Sequence, residues 1–175
     1  MSFAIVAVPR FSPADLGWIE SLRRRHLPDY ERQIGPHLTL VFPFTADAEA
    51  STRTHAAAVA GATPPFAAAF RAVLSLPDAF SADSVVALVP DEGMSHAIRL
   101  HDRLYTGPLA DHLRLDLPFV PHVTVARMAN ARSAKALVDD LNGGEPSILA
   151  AVGEITLLRM TRPAIETAAV LRLGG

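Results

Sequence analysis

The heptapeptide Pro-His-Leu-Thr-Leu-Val-Phe at residues 36–42 is the segment from which the fold of this chain can be predicted. Its β-branched and aromatic residues, bounded by glycine before and proline after, predict a buried strand. Side chains alternate along a strand, so His37 and Thr39 should share one face. The opposite face should carry the apolar side chains of Leu38, Leu40 and Phe42. The strand would therefore present an imidazole beside a hydroxyl, with an apolar back.

The same pattern returns 85 residues later, where residues 121–126 read Pro-His-Val-Thr-Val-Ala. One such polar pair on a strand is more often solvated or hydrogen-bonded than functional. Two pairs, each preceded by proline and each on a predicted strand, form a specific signal. His122 and Thr124 therefore join His37 and Thr39 as candidate site residues.

Length, charge and cysteine content limit the function classes. The chain has 175 residues, 50% of them hydrophobic, which favours one compact domain over residues 1–175. A net charge of −2 provides no overall basic field, so tight non-specific binding to nucleic acid is not expected. A small nucleotide or an RNA terminus in a local pocket is compatible with this charge. Because the chain has no cysteine, disulfides, thiolate chemistry and cysteine zinc sites are excluded.

The apolar segment at residues 3–8 is the only candidate for a targeting signal near the start of the chain. It is too short for the core of a signal peptide with its flanks, and too short to span a membrane. We therefore expect a soluble cytoplasmic protein without a membrane partner. We also expect a monomer.

Capping and periodicity signals predict alternating strands and helices. Ser12 and Pro13 should begin a helix that ends near His26, where arginines 23–25 suit the helix dipole and are interpreted as a solvated turn rather than a phosphate clamp. Further helices are predicted at 47–60, 92–105 and 130–141. Strands or extended segments are predicted at 3–8, 36–42, 64–74, 84–89, 119–127, 148–160 and 165–173, with a turn at Arg162-Pro163.

The order of these elements predicts an α+β fold with two lobes. Strand–helix–strand–helix–strands occurs twice, in pseudo-repeat halves of roughly 1–80 and 81–175, with one His-x-Thr strand in each half. Each lobe would be an antiparallel sheet with helices on its outer face. The two His-x-Thr strands would then meet across a central cleft, where a ligand site is expected.

The two motifs, His-Leu-Thr-Leu at 37–40 and His-Val-Thr-Val-Ala-Arg at 122–127, resemble the paired signatures of the two-histidine (2H) phosphoesterase superfamily, and within it the 2′-5′ RNA ligase and cyclic phosphodiesterase group. The resemblance spans nearly the whole chain. It implies the bilobal fold, and activity without a metal or other cofactor on 2′,3′-cyclic phosphates, related cyclic phosphodiesters or 2′-5′ linkages. It also implies that ring opening expels the 3′ oxygen and leaves a 2′-phosphate, and that ligation, with a ribose hydroxyl as the nucleophile instead of water, yields a 2′-5′ bond.

The chemistry explains why these residue types occur in pairs. Hydrolysis of a phosphodiester in line needs a base on the attacking water and an acid on the departing oxygen. His37 and His122 can hold opposite protonation states near neutral pH. Thr39 and Thr124 can donate hydrogen bonds to the non-bridging phosphate oxygens. Which histidine is base and which is acid stays open, because the motifs are nearly symmetrical.

Arg127 is a further candidate for phosphate binding, five residues after His122. Some members of the ligase-like branch carry an arginine at this offset. Strict alternation would point Arg127 away from His122, so a site role requires the strand to twist or to end near Met128. The alternative is an ordinary surface arginine.

The remaining aromatic and histidine residues have weaker patterns. Base stacking is conceivable for Phe11, Phe42, Phe44 and Tyr105, although the core is the alternative for each. The histidines left outside the predicted site are His26, His55, His96, His101 and His112.

Other interpretations of the motif pairs stay open. The pairs could be hydrogen-bonded polar residues at a lobe interface, or part of a metal site, although no third ligand follows either motif at a suitable offset. The chain could be a non-catalytic module that binds nucleotides or RNA ends. It could also be an esterase for another small cyclic phosphate.

Overall fold

A computed structural model describes residues 2–45, 49–161 and 163–175. Within these residues the strands are β1 (Ser2–Ala7), β2 (Arg10–Phe11), β3 (Leu38–Thr45), β4 (Phe66–Pro77), β5 (Ser84–Glu92), β6 (Val123–Met128), β7 (Ile148–Val152), β8 (Glu154–Thr161) and β9 (Ala164–Arg172). The helices are α1 (Pro13–His26), α2 (Glu49–Gly61), α3 (Met94–Leu104) and α4 (Ala131–Gly143), with 3₁₀ turns at Glu31–Gln33 and Gly107–His112. Residues 47 and 48 of the second predicted helix, and Arg162 of the predicted turn, lie outside the described residues.

Two of the helices begin at the side-chain caps that their sequences predict. The Ser12 hydroxyl accepts a hydrogen bond from the Asp15 N–H at 3.1 Å, and Pro13 occupies the first turn of α1. The Asn130 side chain accepts from the Ser133 N–H at 2.8 Å at the start of α4. These local signals are sufficient to set where α1 and α4 begin.

The strands form an antiparallel sheet in the order β2-β7-β4-β5-β6-β3-β1-β8-β9. Its two halves, β2-β7-β4-β5-β6 and β3-β1-β8-β9, meet where β6 pairs with β3 through the single register pair Leu38 and Val123. The predicted α+β fold of antiparallel strands and helices is confirmed, and the two predicted sheets are the two halves of one continuous sheet. Both His-x-Thr motifs lie at this junction, because His37 and His122 immediately precede β3 and β6.

Strands from the two ends of the chain are interleaved in the sheet. The predicted strand at 148–160 is two strands separated at Gly153, where the chain passes from one half of the sheet to the other: β7 pairs with β4, and β8 pairs with β1. The predicted strand 84–89 continues through Pro90, which pairs with Phe70 of β4. Proline is tolerated there because the pairing of β5 with β6 ends at Leu88, so no partner on that side needs its N–H.

The helices that precede the two motifs pack against the strands that carry the opposite motif. Helix α1 precedes β3 in the chain but contacts β6, whereas α3 precedes β6 but contacts β3. Helix α2 covers β8 and β9, and α4 covers β4, β5 and β6. Strands β1 and β5 are buried along most of their length, which explains their continuous apolar sequences. No helix among the described residues is long and apolar enough to cross a membrane.

A β-bulge follows the threonine of each motif. Val6 pairs with Thr39 but Ile5 pairs with Val41, so Leu40 is an extra residue in β3. In the second motif, Ala87 pairs with Thr124 but Val86 pairs with Ala126, so Val125 is the extra residue. Each bulge allows two consecutive side chains, at 40–41 and at 125–126, to face the core. The alternation of side chains is therefore inverted beyond each threonine.

Candidate active site

A cleft of about 760 Å³ lies where the two halves of the sheet meet. His37 and Thr39 line one side of it, and His122 and Thr124 line the other. Leu38 and Val123, the residues between each histidine and threonine, are fully buried in the core. The structure therefore brings together the four residues predicted from the two motifs.

The two imidazoles are held by the same hydrogen bond. His37 Nδ1–H donates to the Gly35 carbonyl at 2.8 Å, and His122 Nδ1–H donates to the Val120 carbonyl at 2.7 Å. A carbonyl oxygen only accepts, so Nδ1 carries the proton in both rings. Each Nε2 is left to accept a proton when its ring is neutral, or to donate one when its ring is charged. Two equivalent acid–base atoms thus belong to one cleft.

Burial makes both rings easier to deprotonate. It lowers the pKa of His37 to about 4. The positive charges of Arg23 and His122 lower this pKa further, whereas the hydrogen bond to Gly35 raises it. Burial also lowers the pKa of His122, against the hydrogen bond to Val120. At neutral pH both rings are therefore neutral in the ligand-free protein.

Neither threonine hydroxyl is engaged by the part of the protein that the structure describes. Thr39 and Thr124 are half-buried, and within the described ranges their hydroxyls have no hydrogen-bond partner. A hydroxyl that faces a cleft without a partner can donate to a bound anion. The two hydroxyls are consequently available to a phosphate between the histidines.

The bulges decide what lies next to the motifs. Phe42 was predicted on the core face of its strand, and this prediction is wrong: Phe42 lines the cleft, because the extra residue Leu40 inverts the alternation. Arg127 lines the cleft for the same reason, through the bulge at Val125. Phe42 and Arg127 are each five residues after their histidine. They occupy equivalent positions in the two halves.

Arg127 is paired with two carboxylates that also line the cleft. Its Nε donates to Glu31 Oε1 at 2.8 Å and its Nη2 to Glu31 Oε2 at 3.2 Å, while Nη1 lies 2.7 Å from Asp78 Oδ1. Burial opposes the charge of Arg127, but the hydrogen bonds to Glu31 and Asp78 outweigh burial and raise its pKa. Of the five N–H donors, two remain unpaired among the described residues.

Asp78 and Phe80 come from the loop between β4 and β5, which sequence reasoning did not connect to the site. The Asp78 side chain is 6% exposed, whereas Phe80 is 62% exposed at the mouth of the cleft. The ring of Phe80 meets the ring of Phe42 edge-on, with centroids 6.3 Å apart. The sequence feature that could have connected this loop to the site is a single phenylalanine among small and polar residues between two predicted strands.

The prediction that arginines 23–25 form a solvated turn is wrong for Arg23. It is 1% exposed in the wall of the cleft, with its guanidinium hydrogen-bonded to backbone carbonyls. Arg23 lies four residues after the buried Ile19, on the same face of α1. That helical spacing could have identified it as an inward-facing arginine.

The other aromatic and histidine candidates lie outside the cleft lining. Phe11 packs on Phe70, and Phe44 packs on Phe3 and His112. Among the described residues none of His26, His55, His96, His101 and His112 lines the cleft. The part of the chain that the structure describes also contains no group of three or more histidine, aspartate or glutamate side chains arranged to hold a metal.

Sequence comparison identifies the family to which this arrangement belongs. The profile of the 2′-5′ RNA ligase superfamily matches residues 11–164. The chain belongs to the 2′-5′ RNA ligase superfamily. This confirms the resemblance to the two-histidine phosphoesterases that the motifs indicated, and the matched range includes both motifs.

Solved structures share the fold of this superfamily member. E. coli LigT complexed with 3′-AMP superposes with a TM-score of 0.62 at 20% identity, over 98% of this chain and 97% of that chain. TT0787 of Thermus thermophilus has a TM-score of 0.63 at 19% identity, over 100% and 99%. Usb1 of Kluyveromyces marxianus has a TM-score of 0.55 at 9% identity, over 95% and 96%. No curated protein sequence matches the chain.

Membership of the 2′-5′ RNA ligase superfamily supports an enzyme of the two-histidine phosphoesterase type. The geometry adds the arrangement of polar atoms in a shared cleft: two Nε2 atoms, one guanidinium, and two hydroxyls without a partner among residues 2–45, 49–161 and 163–175. Such a set can move protons on both sides of a phosphorus atom while neutralising its oxygens.

Proposed function

We propose that this protein is a metal-independent phosphodiesterase that opens 2′,3′-cyclic phosphates of nucleotides or RNA ends to 2′-phosphates. The observation that carries the proposal is the matched anchoring of His37 and His122, whose Nδ1 atoms are fixed to backbone carbonyls while Nε2 is left for the substrate. A module that only bound nucleotides would not need two imidazoles with the same free nitrogen in one cleft.

The reaction uses one imidazole as base and the other as acid. The base accepts a proton at Nε2 from water, whose oxygen attacks phosphorus as the bond to the 3′ oxygen breaks. The acid donates its Nε2 proton to that oxygen, so the products are a 3′ hydroxyl and a 2′-phosphate. The two rings end with exchanged protonation states. In the reverse direction a 2′-phosphate end would cyclise with release of water. If a ribose hydroxyl replaced water as the nucleophile in the forward direction, the same loss of the 3′ oxygen would give a 2′-5′ bond.

The remaining polar groups stabilise charge on the phosphate. Thr39 and Thr124 each offer one hydroxyl to a non-bridging oxygen. Arg127 can add its two unpaired N–H groups without leaving Glu31 and Asp78. Because burial lowers the pKa of both His37 and His122, the negative charge of the bound phosphodiester would help to protonate the acid.

The mouth of the cleft favours a substrate with a nucleobase over another small cyclic phosphate. Phe42 and Phe80 form an aromatic edge there, and stacking of a base on an aromatic ring is worth about 1–3 kcal/mol. E. coli LigT, which has the same fold, has been crystallised with 3′-AMP, ATP and NADP⁺.

A substrate panel tests the proposal. The protein is incubated with 2′,3′-cyclic nucleotides, 2′-5′ dinucleotides and a cyclic phosphate of ADP-ribose, and the position of the product phosphate is read by ³¹P NMR. We expect 2′-phosphates from the cyclic nucleotides, at a rate that extensive chelation leaves unchanged. Products with a 3′-phosphate would mean that the substrate lies the other way across the histidines. Activity lost on chelation and restored by a divalent ion would overturn the two-histidine mechanism, and binding without turnover would favour the non-catalytic module.

A further inference from the structure

Two buried polar side chains outside the motifs connect one motif to the other. Arg23 lies in the last turn of α1 and is 1% exposed, and His101 lies in the last turn of α3 and is 4% exposed. These helices pack against the strands of the opposite motif. Each side chain has one contact at a motif strand and another at the segment that anchors the other histidine.

Arg23 links the second motif to the segment before His37. Its Nη1 donates to the Thr124 carbonyl at 3.2 Å, and its Nη2 donates to the Ile34 carbonyl at 2.6 Å and to the Glu31 carbonyl at 3.2 Å. Ile34 precedes Gly35, the residue whose carbonyl holds the His37 ring. One planar guanidinium therefore sets the distance between the strand of Thr124 and the anchor of His37.

His101 makes the converse connection, from the first motif to the segment before His122. Its Nδ1–H donates to the Leu40 carbonyl at 2.7 Å, at the bulge that follows Thr39. Its ring stacks on Phe119, with centroids 3.6 Å apart and planes 9° from parallel. Phe119 precedes Val120, the residue whose carbonyl holds the His122 ring.

We propose that Arg23 and His101 are positioning residues. They hold the two motifs at the separation that lets the histidines transfer protons on opposite sides of a phosphorus atom. Each one reaches a carbonyl of one motif strand and the residue next to the anchor of the other histidine. The pair therefore resists sliding of either motif relative to the other. The inference rests on the proposed function for its catalytic consequence, while its structural consequence can be measured separately. A displacement of about 1 Å in such a site can cost about 10²-fold in rate.

Substitutions can separate the two contacts of His101. His101→Phe keeps a ring on Phe119 but removes the donor to Leu40, whereas His101→Asn keeps a donor near the Nδ1 position but removes the ring. Arg23→Lys keeps the charge but replaces the planar fork by a single ammonium, and is less disruptive than a neutral residue in this buried place.

Controls come from exposed side chains of α3. Arg103→Lys changes a guanidinium that donates to the Ala62 carbonyl at 3.0 Å and to Thr63 Oγ1 at 3.1 Å, away from both motifs. His96→Phe changes an imidazole that stacks on Phe66. These variants report what the loss of a guanidinium fork or of a stacked imidazole does to activity where neither motif is contacted, and the melting temperature of every variant gives the effect on stability.

The kinetic experiment measures kcat and KM with a 2′,3′-cyclic nucleotide, well below the melting temperature of every variant. We expect His101→Phe and Arg23→Lys to lower kcat roughly 10- to 100-fold while KM stays within about threefold. His101→Asn should keep more of kcat than His101→Phe. The controls should stay within about twofold of the wild type. Unchanged kcat in both main variants, or equal losses in the controls, would overturn the proposal.

A structural readout separates this proposal from the proposed reaction. Crystal structures of the wild type, His101→Phe, Arg23→Lys and Arg103→Lys give the distance between the Nε2 atoms of His37 and His122. We expect this distance to change, or to take more than one value, in the first two variants only. An unchanged distance in both overturns the positioning role. A wild type inactive on every cyclic phosphate overturns the proposed function instead, and leaves this measurement valid.

Discussion

His37 and His122 are held in the same way, whereas the residues five positions after them, Phe42 and Arg127, are chemically opposite. One half of the cleft offers an aromatic ring beside its histidine, and the other offers a guanidinium held by two carboxylates. The difference indicates a division of roles. Proton transfer can use two equivalent groups, since base and acid exchange in the reverse reaction. Recognition needs unequal sides, because a nucleotide carries its base on one side of the phosphate.

The structural origin of the difference is the same in both halves. A bulge follows each threonine, at Leu40 and at Val125, and it directs the side chain two residues later into the cleft. These side chains are Phe42 and Arg127. The backbone thus provides two equivalent positions, and only the side chains there differ. The comparison therefore predicts that substituting the two histidines has similar effects in the two halves, and that the same holds for the two threonines. Substitutions of Phe42 and of Arg127 should affect different kinetic parameters.

The largest expected effects are at the histidines. His37→Ala and His122→Ala should each lower kcat by about 10²–10⁴-fold with the fold intact, because each removes one of the two proton-transfer groups. The pH dependence of kcat/KM should be a bell with its maximum on the acid side of pH 6.5, since burial lowers the pKa of both rings. Each variant should lack one limb of the bell in its residual activity, which assigns base and acid. A variant with near wild-type activity would remove its histidine from the mechanism.

The next effect is on stability at low pH. Burial lowers the pKa of His37 to about 4 in the folded protein, while the unfolded chain titrates near 6.5. Between these values the unfolded state binds a proton that the folded state does not, so the free energy of unfolding falls as the pH is lowered. The loss due to His37 is at most about 3.5 kcal/mol.

Urea unfolding at about pH 7 and about pH 4.5 measures this term. His37→Phe should lose less stability between the two pH values than the wild type. The rings of His101 and His122, whose pKa values burial also lowers, contribute with the same sign in both proteins and cancel in the comparison. An equal loss in wild type and variant would contradict the lowered pKa of His37.

Phe42 and Arg127 should then separate binding from chemistry. Phe42→Ala should raise KM for cyclic nucleotides roughly 10-fold with little change in kcat, because base stacking is worth about 1–3 kcal/mol. Arg127→Met should lower kcat/KM by roughly 10- to 100-fold, since a hydrogen bond to a charged group contributes about 1.5–3 kcal/mol. A cyclic phosphate without a base serves as the control substrate for Phe42→Ala, and should show no change. If both substitutions changed only KM, the division of roles between the two sides would be wrong.

The smallest effects are expected at the threonines. Thr39→Ala and Thr124→Ala each remove one hydrogen bond to the phosphate, so kcat/KM should fall by roughly 3- to 10-fold in each. Thr39→Ser and Thr124→Ser keep the hydroxyl and should restore most of the activity. Losses that differ by more than about tenfold between the two sites would show that the phosphate lies closer to one motif than to the other.

Much of the fold followed from local sequence patterns. The α+β architecture, the start of α1 at Pro13 and the cap of α4 at Asn130 were predicted correctly, because caps and alternation act over a few residues. The pairing of the two motifs in one cleft also followed from their repetition. Strict alternation failed at Phe42, since a bulge depends on the neighbouring strand. Arg23 was misjudged because three consecutive arginines at a helix end usually lie in solvent.

The sequence by itself therefore determined the family to which the chain belongs, and it predicted the four residues of the two His-x-Thr pairs as the site. Only the tertiary structure decided what surrounds them. The contacts of His101 with Leu40, of Arg127 with Glu31 and of Arg23 with Thr124 join residues 61, 96 and 101 positions apart. Such contacts form because burying a polar group requires a partner, and the sheet brings the partner from a distant part of the chain.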